Sequence, residues 1–564
     1  MNKFNLYPII IAITIIQTAS AQNVQLSTAV KAAMEEVKPG DIKDDITYLA
    51  DDKLLGRMPG TPGYQMAVDY VVEHLKALNV KPAGEHGTWL QTVRLRKAFV
   101  QRANLSLNYA PLNNLAPRKG TDCLVYPNPI EPNIKLTAPL VFAGYGISDP
   151  SLGYDDYAGL DVQGKVIVIT RGAPNNFTSS VAAHVANTIT LLKTAADHGA
   201  IGVIIASADS TINTLPKVNK GIFSVIDDHG QVVVSRSYVN GQIKFMAVAK
   251  YTMLSFLFHN ANKNTIAALA GLKLGKPQSY VCNSSINLLL TSAYQDITSY
   301  NIVGKITGSD PVLRNQYVVH SAHLDHLGVG EPIAGDSIYN GAHDNASGVA
   351  SLLGIAKIYA HMPVKPKRSI LVVMVTGEEM GDLGSGYFAR HPTVPVKSMV
   401  ADVNTDMPTI IAPLLSITAL GAEHSSLATQ VGQAADYLNI SVEPDPEPKQ
   451  ARFTRSDQYS FVLAGIPALH IKYGSKTADG KNNMNEIVAP WREKYYHKPQ
   501  DDINGIFDFN AGVKYAQLNF LVGYLVAQNK AKPTWNAGDI FEVNAHSLNS
   551  DTKTGTAAKR KKRQ

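Results

Sequence analysis

Apolar residues recur along this chain with two different periods, and the changes of period mark its organisation. Over 41–78 the spacing is helical: Tyr64, Ala67, Val68, Val71, Val72 and Leu75 share one face, and Thr61-Pro62 can cap and open the helix. Leu55-Gly56-Arg57-Met58-Pro59-Gly60, just before it, reads as a tight loop. From about 105 to 284 the pattern changes to short strands separated by turns. Apolar runs fall at 138–147 and 165–169, and a helix over 186–198 leads through Gly199 into a strand over 201–205.

Beyond Tyr294 strands and helices alternate. Strands are expected over 300–306, 316–319, 369–375, 399–403, 415–419 and 466–471, and helices over 346–359, 423–438 and 511–527. That succession predicts an α/β fold, a mostly parallel central sheet flanked by helices on both faces. No internal repeat is evident. After Lys530 the periodicity fades, and 547–564 reads as disordered.

At 564 residues the chain exceeds one ordinary domain, and 45% apolar with 17% charged residues describes a globular protein. The net charge of +6 points towards nucleic acid only until it is located: Lys559, Arg560, Lys561, Lys562 and Arg563 supply nearly all of it. The rest of the chain is close to neutral, so no nucleic-acid partner is expected. At the other end, Lys3 precedes an apolar run, Ile9 to Ile16, and then Ala19-Ser20-Ala21. This reads as a secretory signal cleaved after Ala21, too short to span a bilayer, with Gln22 opening a periplasmic or secreted chain that keeps no stable membrane insertion. No cysteine follows the cleavage point, which argues against a lipid anchor there. Cys123 and Cys282 are the only cysteines; two thiols cannot build a thiolate metal site, but an oxidising compartment leaves room for one disulfide.

The candidate chemistry gathers where the second set of elements ends. His323 and Asp325 follow the strand expected over 316–319; a histidine ligand needs a carboxylate or carbonyl on its other nitrogen, which suits Asp325 as a support. Asp344 and Asn345 precede the helix over 346–359, where either could simply cap it. Glu378 and Glu379 follow the strand over 369–375. Within a strand they would face opposite sides, whereas in a turn both can reach one cavity, one as ligand and one as general base. Asp406 follows the next strand, and His497 lies near the end of the fold. His323, Asp344, Glu379, Asp406 and His497 make five candidate ligands of nitrogen and oxygen type, suited to zinc, with cobalt or manganese possible. Three carboxylates against two divalent ions leave one positive charge, which one hydroxide would neutralise. His320 reads as a core histidine, and His326 and His343 as pocket-lining neighbours.

Two resemblances follow from these residues. Tyr154-Asp155-Asp156-Tyr157 followed by Gly164-Lys165-Val166-Ile167-Val168-Ile169 resembles the protease-associated domain, a non-catalytic module; the plainer reading is a generic β-rich domain with a solvated acidic turn. Ala322-His323-Leu324-Asp325-His326-Leu327-Gly328, Gly341-Ala342-His343-Asp344-Asn345-Ala346-Ser347-Gly348, Gly377-Glu378-Glu379, Asn404-Thr405-Asp406 and Tyr496-His497 resemble the secreted co-catalytic zinc exopeptidases that include bacterial leucyl aminopeptidases and the glutamate carboxypeptidases. The resemblance implies two zinc ions per chain bridged by Asp344, with His323 and Asp406 completing one site and Glu379 and His497 the other. It further implies Glu378 as general base, Asp325 steadying His323, and a peptide as substrate, cleaved at its amino end. Carboxypeptidase action, glutaminyl cyclase chemistry on the same fold, or a non-catalytic binding role are the alternatives. The implied domains are 1–21 (leader), 22–105 (N-terminal part of the peptidase), 106–290 (inserted β-rich protease-associated domain), 291–530 (peptidase) and 531–564 (tail). Arg455-Ser456-Asp457-Gln458 also resembles the family, and Asp457 is a candidate for shaping the site. The chain departs from the family pattern in a polar insertion over 475–494, read as a lid or a surface loop, and in Lys498-Pro499 after the last histidine.

Overall fold

The computed structural model describes residues 24–109, 122–212, 214–215, 221–543 and 545. The expected leader, the start at Gln22 and the basic end at 559–563 lie outside the described residues, as does the stretch from 547 read as disordered. Among the described residues no helix is long and apolar enough to cross a membrane.

The centre is a run of four parallel strands in the order Ala468–Tyr473, Met399–Asn404, Tyr317–His323 and Ser369–Val375. Ser416–Leu420 joins antiparallel on one side and Ser279–Ile306 on the other. Every residue of Ser369–Val375 is buried, as expected of a parallel strand covered on both faces. Helices Ser347–His361, Phe509–Gln528 and Pro39–Leu49 pack on one another against one face, and Leu383–Arg390 with Gln458–Leu463 cover the other. The helix Pro62–Ala77 begins as its sequence predicts, with the Thr61 hydroxyl accepting from the Tyr64 amide at 3.3 Å. Several boundaries move. The strand expected over 316–319 continues to His323, and the helix expected from 423 begins only at Leu427, because Gly421 and a short turn at Ala422–His424 precede it.

The inserted region continues the same sheet. Asn133–Ala143, Val166–Thr170, Gly202–Ala206 and Phe245–Ala249 form a second parallel run. It carries more helix than its β-rich pattern announces, including Tyr251–Asn260 and Thr265–Lys273. The first of these buries Met253, Leu254, Phe256, Leu257 and Phe258, so it is apolar on nearly every side and shows little helical period. Asp156 is not part of a solvated turn. It is fully buried, and its carboxylate accepts from the amides of Tyr145 and Ile147 and the hydroxyl of Tyr154 at 2.8, 3.2 and 3.0 Å.

The expected domain limits at 105/106 and 290/291 fall inside strands. Leu90–Tyr109 and Ser279–Ile306 pair antiparallel from Leu90 opposite Ile302 to Tyr109 opposite Ser284, a ribbon shared by both halves. The disulfide does not form: Cys123 and Cys282 are both free, on strands with four others between them in the sheet order. Burial pushes both thiols up to about 12.

Candidate metal centre

The parallel strands deliver their chemistry to one edge, beyond their carboxyl ends. His323 is the last residue of Tyr317–His323, Glu378 and Glu379 stand in the loop after Ser369–Val375, and Asp406 follows Met399–Asn404. His323 Nε2 lies 3.4 Å from Asp344 Oδ1 and 3.5 Å from Asp406 Oδ1. His497 Nε2 lies 3.2 Å from Asp344 Oδ2 and 3.3 Å from Glu379 Oε2. The five residues predicted as ligands therefore converge, with each oxygen of Asp344 turned to a different histidine. Asp406 Oδ1 is buried without a hydrogen-bond partner, an acceptor that suits a cation. The donor set of imidazole nitrogens and carboxylate oxygens fits zinc.

What holds these side chains differs in part from expectation. Neither Asp344 nor Asn345 caps the helix Ser347–His361, which starts without a side-chain cap. Asn345 instead ties the ligand loops together: its amide nitrogen donates to the carbonyls of Thr405 at 3.0 Å and His323 at 3.4 Å, and its oxygen accepts from the Met407 amide at 3.1 Å. Asp325 meets His323 through its main chain and not through its carboxylate, with His323 Nδ1 3.1 Å from the Asp325 carbonyl. Its carboxylate accepts from the amides of Glu378 and Glu379 at 3.2 and 3.3 Å, fixing the loop that carries both glutamates. The reason is geometric: the strand stops at His323, so the alternation that would have set the two side chains on one face does not reach Asp325.

Other contributors carried no motif. Asp501 accepts from the amides of His343 and Asp344, at 2.9 and 3.1 Å, and so sets the Asp344 loop. Arg57, fully buried in the loop that the sequence marks only as tight, donates to the carbonyls of Leu324, Asn340 and Gly341 at 2.9, 2.6 and 3.0 Å, and to that of Leu49. Lys472 Nζ donates to the carbonyls of Asp406 and Met407 at 2.7 and 3.1 Å, and His470 Nε2 lies 2.8 Å from the same Asp406 carbonyl. A readable signal existed for these two, since they interrupt an apolar strand at alternate positions. His326 does more than line the pocket: its Nδ1 is 2.7 Å from Glu379 Oε1, and His326, Asp344 and Glu379 form a second group able to hold an ion.

His320 is the expected core histidine, 3.3 Å from the Tyr359 hydroxyl, where Gly523 leaves the space: a Cβ there would lie 2.2 Å from the imidazole. His343 is packed rather than ligating, stacked on Phe507 at 4.1 Å with Trp491 edge-on at 4.7 Å. Trp491 belongs to the helix Met484–Tyr495, so the insertion read as a loop is largely helical and buries Met484, Val488 and Trp491 beside the centre. Asp457 is buried with neither carboxylate oxygen hydrogen-bonded, and burial pushes it up to about 8.

Burial pulls His497 down, but its hydrogen bond to Asp344 and the charges of Glu379 and Asp344 outweigh this and hold it at about 9. His323 is likewise held well above its ordinary range, burial being outweighed by Glu378, Asp344 and Asp406. A ligating imidazole must be neutral. Metal affinity should therefore fall as pH drops below about 9, with the His497 proton released on loading at pH 7. Titration calorimetry in buffers of different ionisation enthalpy reads that release; no proton release would contradict the arrangement.

Residues 301–514 match the model of peptidase family M28, and residues 136–243 match the PA domain. Over 264 residues the chain is 28% identical to "probable leucine aminopeptidase 2" of Aspergillus oryzae, covering 44% of this chain and 49% of the relative. It is 32% identical over 217 residues to "Carboxypeptidase Q" of Rattus norvegicus, covering 35% and 41%. It is 37% identical over 276 residues to "Probable zinc metalloprotease" of Pyrenophora teres f. teres, covering 42% and 53%. The chain thus spans about half the length of the curated relatives it matches.

Proposed function

We propose that this protein, whose residues 301–514 match the model of peptidase family M28 and whose residues 136–243 match the PA domain, is a zinc-dependent exopeptidase, carrying two ions per chain and removing residues from the amino end of peptides. The observation that carries this is Asp344, whose two oxygens face His323 and His497 at 3.4 and 3.2 Å. In this reading His323, Asp344 and Asp406 would hold one ion, and Asp344, Glu379 and His497 the other, with His326 beside Glu379 at 2.7 Å.

Zinc held there would supply polarisation of the scissile carbonyl and a lowered pKa for water. Glu378 takes a proton from the attacking water and hands it to the leaving amine. Its carboxyl is buried, and burial with the charges of Asp382, Glu379 and Asp406 holds it well above the usual range against the pull of His323. Asp325 keeps it in place by accepting its amide. The cleft beside it, about 890 Å³, is lined by His326, Glu379, Met380, Phe99, Phe223 and Arg236 among others.

Carboxypeptidase action is the second reading, favoured by the 32% identity over 217 residues to "Carboxypeptidase Q". Purified enzyme assayed on matched peptides with free or blocked amino termini separates the two. Aminopeptidase action cleaves only the free-amino peptides, stops on chelation and returns with zinc; cleavage of amino-blocked peptides alone would reverse the assignment. About two zinc per chain accords with the peptidase, whereas one would favour a cyclase and none a binding role.

A further inference from the structure

Arg236 follows the strand Val232–Ser235 of the inserted region, and its Nη2 donates to Asp382 Oδ2 at 2.6 Å. Asp382 stands at the start of the helix Leu383–Arg390, where an aspartate ordinarily caps its own helix. It makes no capping hydrogen bond; its backbone is left-handed at φ 52, and its carboxylate meets the inserted region instead. The amides of Gly381 and Asp382 both donate to the Glu378 carbonyl, at 2.8 and 3.0 Å, so a displacement of Asp382 is passed directly to Glu378. The stem of Arg236 crosses Gly381 so closely that a Cβ there would lie 2.6 Å from Arg236 Cδ. Below this crossing Phe223, Val225 and Val234 of the inserted region form a small core with Leu383, against which Met380 and Tyr387 pack. Asp382 holds the guanidinium above its ordinary range, against the opposing effect of burial.

We propose that Arg236 is a positioning residue supplied by the inserted region: through Asp382 it holds the loop bearing Glu378 and Glu379, so that the inserted domain completes the catalytic centre. The proposal rests on the roles given above to those two glutamates. The ion pair is partly exposed and adds little to global stability. Its effect lies in geometry, because small misplacements of reacting groups cost rate steeply.

The test uses the full-length, zinc-loaded protein and the variants Arg236→Met, Arg236→Lys, Asp382→Ala and the Arg236→Met/Asp382→Ala double. Arg236→Met should lower kcat roughly ten- to hundredfold with KM and zinc content unchanged. Arg236→Lys should recover part of that loss, and the double variant should fall no further than Asp382→Ala, because the two residues act as one unit. Amide hydrogen exchange over 376–383 should quicken in Arg236→Met, a readout that needs no turnover. A loss confined to KM, fully additive losses, or unchanged exchange would overturn the proposal. Should the unaltered protein cleave no peptide, the exchange result still decides whether Arg236 holds the loop, while the exopeptidase reading fails separately.

Discussion

Replacing Glu378 by glutamine leaves the metal content at its original level and lowers kcat by roughly 10²–10⁴-fold, the usual contribution of a positioned general base. The prediction separates two neighbouring carboxylates by geometry. Glu379 presents one oxygen to His326 at 2.7 Å and the other to His497 at 3.3 Å, so it is committed to the ligand cluster. Among the described residues Glu378 has no such partner; its amide is anchored by Asp325. Glutamine has the same shape and cannot accept the proton. The corresponding Glu379 variant should lose metal as well as activity, and zinc analysis beside kcat on the two proteins reads the difference. Retained turnover in Glu378→Gln, or loss of its zinc, would sink the assignment of the base.

Asp344→Ala should affect both ions at once. Because its two oxygens face different histidines, its removal leaves His323 with Asp406 and His497 with Glu379, two donors on each side. Zinc affinity should then drop by more than about a hundredfold, beyond the range that a supporting residue commands. Asp501→Ala supplies that comparison. It removes only the acceptor of the His343 and Asp344 amides, and should weaken binding by roughly ten- to hundredfold. Competition with a chelator of known affinity measures both. Two zinc ions bound to Asp344→Ala with unchanged affinity would exclude the bridging role.

Much of this architecture is a local property of the chain and can be read without coordinates. Strand and helix periods depend on near neighbours, so the strand Ser369–Val375 falls where its apolar run places it, and Thr61-Pro62 opens its helix. The ligand types were legible for the same reason, since they cluster where apolar runs end. A helix apolar on all sides, such as Tyr251–Asn260, loses its period and was missed, and polar residues at 475–494 hid a helix that packs through Trp491.

The sequence by itself determined the α/β succession and the positions of His323, Asp344, Glu378, Glu379, Asp406 and His497 relative to the strand ends. Only the tertiary structure decided what each one touches. Arg57 bonds to Leu324 across 267 residues of chain, and Arg236 reaches Asp382 across 146. The same folding left the two cysteines apart and gave the Asp325 carboxylate to the glutamate loop rather than to His323. Hydrogen bonds of this kind depend on which loops meet in space, and no spacing along the chain encodes that meeting.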